Sequence, residues 1–164
     1  MTVEEKMRLV LKLAENGMMQ GEIPIAAIIF HGDEIVSMAY TMERKEGRYL
    51  VHAEMQAIMD MDKQRYPYKL RKEMQLFTNL EPCMMCFGAA IHSFIGEVYY
   101  SIESPTDGGV VWTEKTWNDY HIASLFKLPK VYSEILKEES KDLFKRYLEI
   151  NPKGGATDWV KTLI

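Results

Sequence analysis

The sequence predicts an α/β protein: one sheet with helices on both of its faces. Three observations lead there. Stretches with helical spacing alternate with short apolar or alternating stretches along the 164 residues. An early pair of strand-like segments is separated only by Gly32-Asp33, a hairpin turn. Each later strand-like segment is reached through a helical stretch, so those strands should run parallel.

The elements follow in order. Thr2 and Glu5 form a capping-box pattern, each side chain satisfying a free amide at a helix start. Val3, Met7, Val10, Leu11 and Ala14 then recur at helical spacing up to about Asn16-Gly17. After the turn at Gly21-Glu22-Ile23-Pro24, Ile25–Phe30 reads as a buried strand and Glu34–Tyr40 as its hairpin partner. Residues 41–50 are polar and read as loop. His52 to about Lys63 is expected to be helical with Met55, Ala57, Ile58 and Met59 inward, and a basic connector runs from Lys63 to Lys72. Met74–Thr78 is a third strand, Pro82 to about Ser93 a helix, and Glu97–Ile102 a fourth strand. Residues 103–121 read as a long loop carrying Trp112, Trp117 and Tyr120. A short helix to Phe126, a strand at Lys130–Ile135 and a helix at about Lys137–Ile150 complete the pattern. The expected division is a domain over 1–150 and a C-terminal tail over 151–164 that covers the active site.

Composition narrows the function classes. With 47% hydrophobic and 27% charged residues, the chain can bury one sizeable core. No apolar run reaches the length of a membrane span, and Met1-Thr2-Val3-Glu4-Glu5 lacks the basic head and apolar block of a secretory signal. A soluble, cytoplasmic protein is expected. The net charge is −4, from 20 basic and 24 acidic residues, and offers no overall attraction to a phosphate backbone.

Chemistry concentrates in His52-Ala53-Glu54 and Pro82-Cys83-Met84-Met85-Cys86. Pro82 suits a first helical turn, which sets Cys83 and Cys86 at i and i+3 on one face. A helix N-terminus lowers thiol pKa and favours the thiolates that a metal requires. His52 opens the preceding helix, so three ligands of the type zinc prefers stand at two helix starts. There is no third cysteine, and His31, His92 and His121 read as surface or capping histidines. Three protein ligands leave the fourth zinc position to water, as in a catalytic site. Zinc lowers the pKa of bound water to roughly 7, and Glu54 is placed to take up and return its proton. A redox dithiol is the competing reading of the cysteines, but it would not need the partner motif 31 residues upstream.

At these residues the chain resembles the cytidine-deaminase-like superfamily, whose zinc deaminases carry histidine-x-glutamate followed by proline-cysteine-x-x-cysteine. It is most similar to the branch holding bacterial tRNA adenosine deaminases and guanine deaminases. The likeness runs from Gly21–Ala27 through Thr78–Cys86 and Gly88–Ser93, and returns at Val131–Phe144. The resemblance implies a three-layer α/β/α sandwich with a mixed five-stranded sheet, zinc held by His52, Cys83 and Cys86, and Glu54 as proton shuttle. It also implies base contact by the Ala53 amide and a homodimer. Thr41 stands where the tRNA branch has a nucleoside-contacting asparagine, and Val51 and Phe94 replace a usual small residue and an arginine. Thr41 and Trp112 join Ala53 as expected substrate contacts.

The expected activity is therefore hydrolytic deamination of a free base, nucleoside or related amino-heterocycle, purine-like by the branch resembled, with release of ammonia. The acidic balance makes RNA the less favoured partner. Two alternatives stand beside it: a tRNA-specific adenosine deaminase, and an inactive partner subunit, against which the presence of Glu54 argues.

Overall fold

The computed structural model describes residues 1–119 and 126–164. The order is α1 (Val3–Met19), β1 (Ala26–His31), β2 (Glu34–Tyr40), α2 (Glu43–Glu46), α3 (Ala53–Lys63), α4 (Tyr68–Arg71), β3 (Met74–Leu80) and α5 (Met84–His92). It continues with β4 (Glu97–Ile102), α6 (Val110–Asp119), β5 (Lys130–Tyr132), α7 (Lys137–Ile150) and α8 (Thr157–Lys161). The five strands form one sheet in the order β2-β1-β3-β4-β5. β1 is antiparallel to β2 and β3, while β3, β4 and β5 run parallel, as the crossovers require.

Period-two alternation divides the core between the two faces. Ala26, Ile28, Phe30, Phe77 and Tyr99 pack with Met7, Val10 and Ala14 of α1 and Leu143 of α7. Ala27, Ile29, Leu76, Val98 and Tyr100 pack with Ala53, Ala57 and Met61 of α3 and Phe87 and Ala90 of α5. Both faces are covered, so β1 is an unbroken apolar run from Ala26 to Phe30. The result is a three-layer α/β/α sandwich. Inside the first interface Phe77 stacks on Tyr99 with centroids 4.3 Å apart and meets Phe30 edge-on at 5.3 Å.

The Thr2–Glu5 capping box is present: Thr2 Oγ1 accepts from the Glu5 amide at 3.2 Å, and Glu5 Oε2 accepts from the Thr2 amide at 2.7 Å. Several expectations need correction. Met59 is exposed and Met61 is buried, because the inward stripe of α3 starts at Ala53-Glu54 and repeats at Ala57-Ile58 and Met61. Pro82 lies before the helix rather than in its first turn, and Cys83 is the N-cap of α5. The 103–121 stretch holds a helix, α6, despite Val110, Val111, Thr113 and Thr116, which are weak helix formers. Single helical turns, α2 and α4, interrupt the expected loop and the basic connector. The expected helix ending at Phe126, with Tyr120 and His121 before it, lies outside the described residues. The C-terminal stretch folds back on the sandwich, where Val160 and Leu163 are buried with Phe144, Tyr147, Leu80 and Ile102.

Candidate active site

Strand direction assembles the site. Because β1 is antiparallel to both neighbours, Ala26 pairs with Tyr40 at the end of β2, and Ala27 with Thr78 near the end of β3. The chain leaves the sheet twice at this end, through residues 41–52 into α3 and through residues 81–83 into α5. Buried Asn79 fastens the corner: its Nδ2 donates to the Pro24 carbonyl at 2.8 Å and its Oδ1 accepts from the Ala26 amide at 2.9 Å. The Thr41 hydroxyl donates to the Val51 carbonyl at 3.1 Å, drawing the end of β2 against the start of α3.

His52 and Cys83 are the N-caps of α3 and α5, so the positive ends of two helices converge here. Their donors form a tight triangle. Cys83 Sγ is 3.4 Å from Cys86 Sγ, and His52 Nδ1 is 3.7 Å from the first sulfur and 3.5 Å from the second. The edges of a tetrahedral zinc site with these donors are about 3.5–3.8 Å, so the three residues fit the ion. Among the described residues this is the one group of three such donors within reach of a common ion.

The local electrostatics suit a cation. The hydrogen bond with Cys86, the contact to His52 and the helix end hold the Cys83 thiol down at about 4, against the cost of burial. The same hydrogen bond, with burial and the neighbouring Glu54, drives the Cys86 thiol upward. His52 is raised to about 9, chiefly by its hydrogen bond to Cys83. Glu54 is only 3% exposed, and burial lifts its carboxyl to about 7. Thr78 Oγ1 donates to Glu54 Oε1 at 3.4 Å, and Cys86 Sγ lies 3.6 Å from Oε2.

These groups open onto a cavity of about 520 Å³, the size of a small-ligand site. His52, Ala53, Glu54, Cys83 and Thr41 line it, together with Glu43, Tyr49, Glu81, Asp107, Gly155, Ala156 and Trp159. Thr41 is therefore at the cavity, with its hydroxyl already committed to Val51. Trp112 is not among the lining residues; it lies 59% exposed on α6. The tryptophan at the cavity is Trp159, which the chain brings back through residues 151–158. Sequence reading passed over Glu43 and Asp107, because neither lies in a periodic or motif-like context. Glu81 organises the opposite wall, accepting from the amides of Ser104 and Val110 at 3.0 Å each. The chain crosses Cys83 closely at Gly108, and a side chain at Gly109 would meet the Met84 backbone at 2.6 Å.

A three-layer sandwich with this donor set beneath a small-molecule cavity defines a zinc-dependent deaminase as the class. Residues 1–102 match the family described as the cytidine and deoxycytidylate deaminase zinc-binding region, and the chain belongs to that family. It is a zinc-dependent hydrolytic deaminase. A tRNA-specific adenosine deaminase of Rickettsia bellii is 29% identical over 145 residues, 87% of this chain and 97% of the relative. The tRNA-specific adenosine deaminase of Bacillus subtilis is 33% identical over 102 residues, 62% of this chain and 63% of the relative. Two solved structures share the fold. One, from studies of A-to-I editing by tRNA:A34 deaminases, has a TM-score of 0.70 at 24% identity, covering 84% of this chain and 96% of its own. The other, a guanine deaminase from Nitrosomonas europaea, has a TM-score of 0.74 at 20% identity, covering 89% and 84%. No described helix is long and apolar enough to cross a membrane.

Proposed function

We propose that this chain hydrolyses the exocyclic amine of an adenosine in an RNA loop, yielding inosine and ammonia. This reverses the ranking that overall charge suggested. The observation that carries it is the Rickettsia relative, aligned over nearly its whole length. The surface beside the cavity supports it: residues 44–50 are exposed and carry Arg44, Lys45, Arg48 and Tyr49, with Tyr49 88% exposed and also lining the cavity. Cations outside and a planar ring at the entrance suit a strand whose phosphates stay at the rim while one base is flipped inward.

His52, Cys83 and Cys86 would hold the zinc, which when bound polarises a water for attack at neutral pH. Glu54 is placed to take a proton from the attacking water and return it to the base, so that the amine departs as ammonia. Its burial keeps the carboxylate out of competing solvent contacts, and the Thr78 hydroxyl fixes one of its oxygens. The Ala53 amide, at the start of α3 in the cavity lining, would serve as a positioning donor to the base. Gly155, Ala156 and Trp159 of the C-terminal segment supply one wall of the cavity in which the base would sit.

A second reading, deamination of a free purine base or nucleoside, has its own observation. Among the described residues, the cavity lining contains no lysine or arginine and includes Glu43 and Asp107. Inosine formation in an anticodon stem-loop and ammonia release from free purines, each across a salt series, separates the two. The RNA reading expects stem-loop turnover that falls with salt by roughly two powers if three phosphates are engaged. Turnover of a free purine alone, insensitive to salt, would replace it.

A further inference from the structure

We infer that Glu43 is a positioning residue for the metal site: its carboxylate stands against the outer nitrogen of His52 and holds the imidazole with its inner nitrogen toward the two sulfurs. The inference rests on the reading of His52, Cys83 and Cys86 as zinc ligands. His52 Nδ1 lies 3.7 Å and 3.5 Å from the cysteine sulfurs, and Nε2 lies 3.4 Å from Glu43 Oε1. Both ring nitrogens are thereby engaged, one facing the ion and one facing a carboxylate. A neutral imidazole that ligates through Nδ1 carries its hydrogen on Nε2, the atom that Glu43 faces. Such an outer carboxylate fixes the tautomer and ring orientation and makes the nitrogen a better donor.

Glu43 is itself held in place, which separates it from an incidental surface acid. Glu22, 1% exposed, accepts from the backbone amides of Arg44 at 3.1 Å and Lys45 at 2.7 Å, clamping the helical turn that begins at Glu43. The Met42 amide donates to the Val51 carbonyl at 3.1 Å, so the residues preceding Glu43 and His52 are tied to each other. With both backbones fixed, the carboxylate has a standing position beside the ring. Glu43 also lines the cavity, so loss of activity alone would not distinguish positioning from substrate contact.

Zinc affinity does distinguish them. Competition against a chromophoric chelator, without substrate, should show Glu43→Gln binding zinc about 10- to 100-fold more weakly than the wild type. Glu43→Asp, which keeps the charge on a shorter stem, should fall between them. Glu46→Gln removes the same charge from the same helical turn without facing His52, and should bind zinc like the wild type. The metal-free melting temperatures of all three should match the wild type, since these side chains anchor no core. Wild-type affinity in Glu43→Gln, or equal weakening in Glu46→Gln, overturns the inference while leaving the ligand set standing. A wild-type chain that binds no zinc, or a Cys83→Ala chain that binds it fully, overturns the ligand set and this inference together.

Discussion

The indole Nε1 of Trp159 donates to Thr106 Oγ1 at 3.1 Å, joining the C-terminal segment to the β4–α6 loop beside the cavity. Neither segment belongs to the zinc motifs, yet together they supply Asp107, Gly155, Ala156 and Trp159 to the lining. Trp159→Ala should therefore raise KM by about tenfold, the scale of one lost base–aromatic stack, with a smaller effect on kcat. Steady-state kinetics check this. An unchanged KM would mean that Trp159 only closes the loop. Deleting residues 151–164 is a blunter change, because buried Val160 and Leu163 leave with it, and should lower the melting temperature as well.

Metal content tests the ligand set. Purified protein should carry close to one zinc per chain, and Cys83→Ala and Cys86→Ala should each lose most of it, because thiolate ligands dominate such sites. Elemental analysis after dialysis decides the point, and full retention by either variant rules that cysteine out. Chelation should abolish turnover, and added zinc should restore it.

The corner that carries the site depends on one amide. Asn79→Ala leaves the Ala26 amide and the Pro24 carbonyl without their partner in a buried place, at about 1–3 kcal/mol for each group. Chemical denaturation should register a loss of a few kcal/mol, and zinc affinity should fall because the turn from β3 to Cys83 loses its anchor to the start of β1. A variant as stable as the wild type would show that water reaches and satisfies both groups.

Much of this was legible because it is local. The Thr2–Glu5 box, the apolar run of β1 and the hairpin at Gly32-Asp33 are set by neighbours in sequence, and all appear as expected. The zinc motifs were legible because ligand chemistry restricts residue type and spacing. What escaped depends on distant partners. The amide of Val110 at the start of α6 is held by Glu81, 29 residues away, so its β-branched sequence read as loop. Met59 was expected inward but is exposed, because the phase of α3 is set where Ala53 and Glu54 enter the site. Trp112 and Trp159 look alike as sequence, and only the return of the chain after α7 decides which one reaches the cavity.

Isotope tracing of the product tests the central claim most directly. The zinc-loaded chain, given its substrate in water enriched in oxygen-18, should release one ammonia for each product molecule that gains one heavy oxygen. Glu54→Gln, folded and with its zinc, should be slower by at least about a hundredfold, the scale of a lost general acid–base residue. Turnover by Glu54→Gln at the wild-type rate, or a product whose new oxygen does not come from water, would contradict hydrolytic deamination through Glu54.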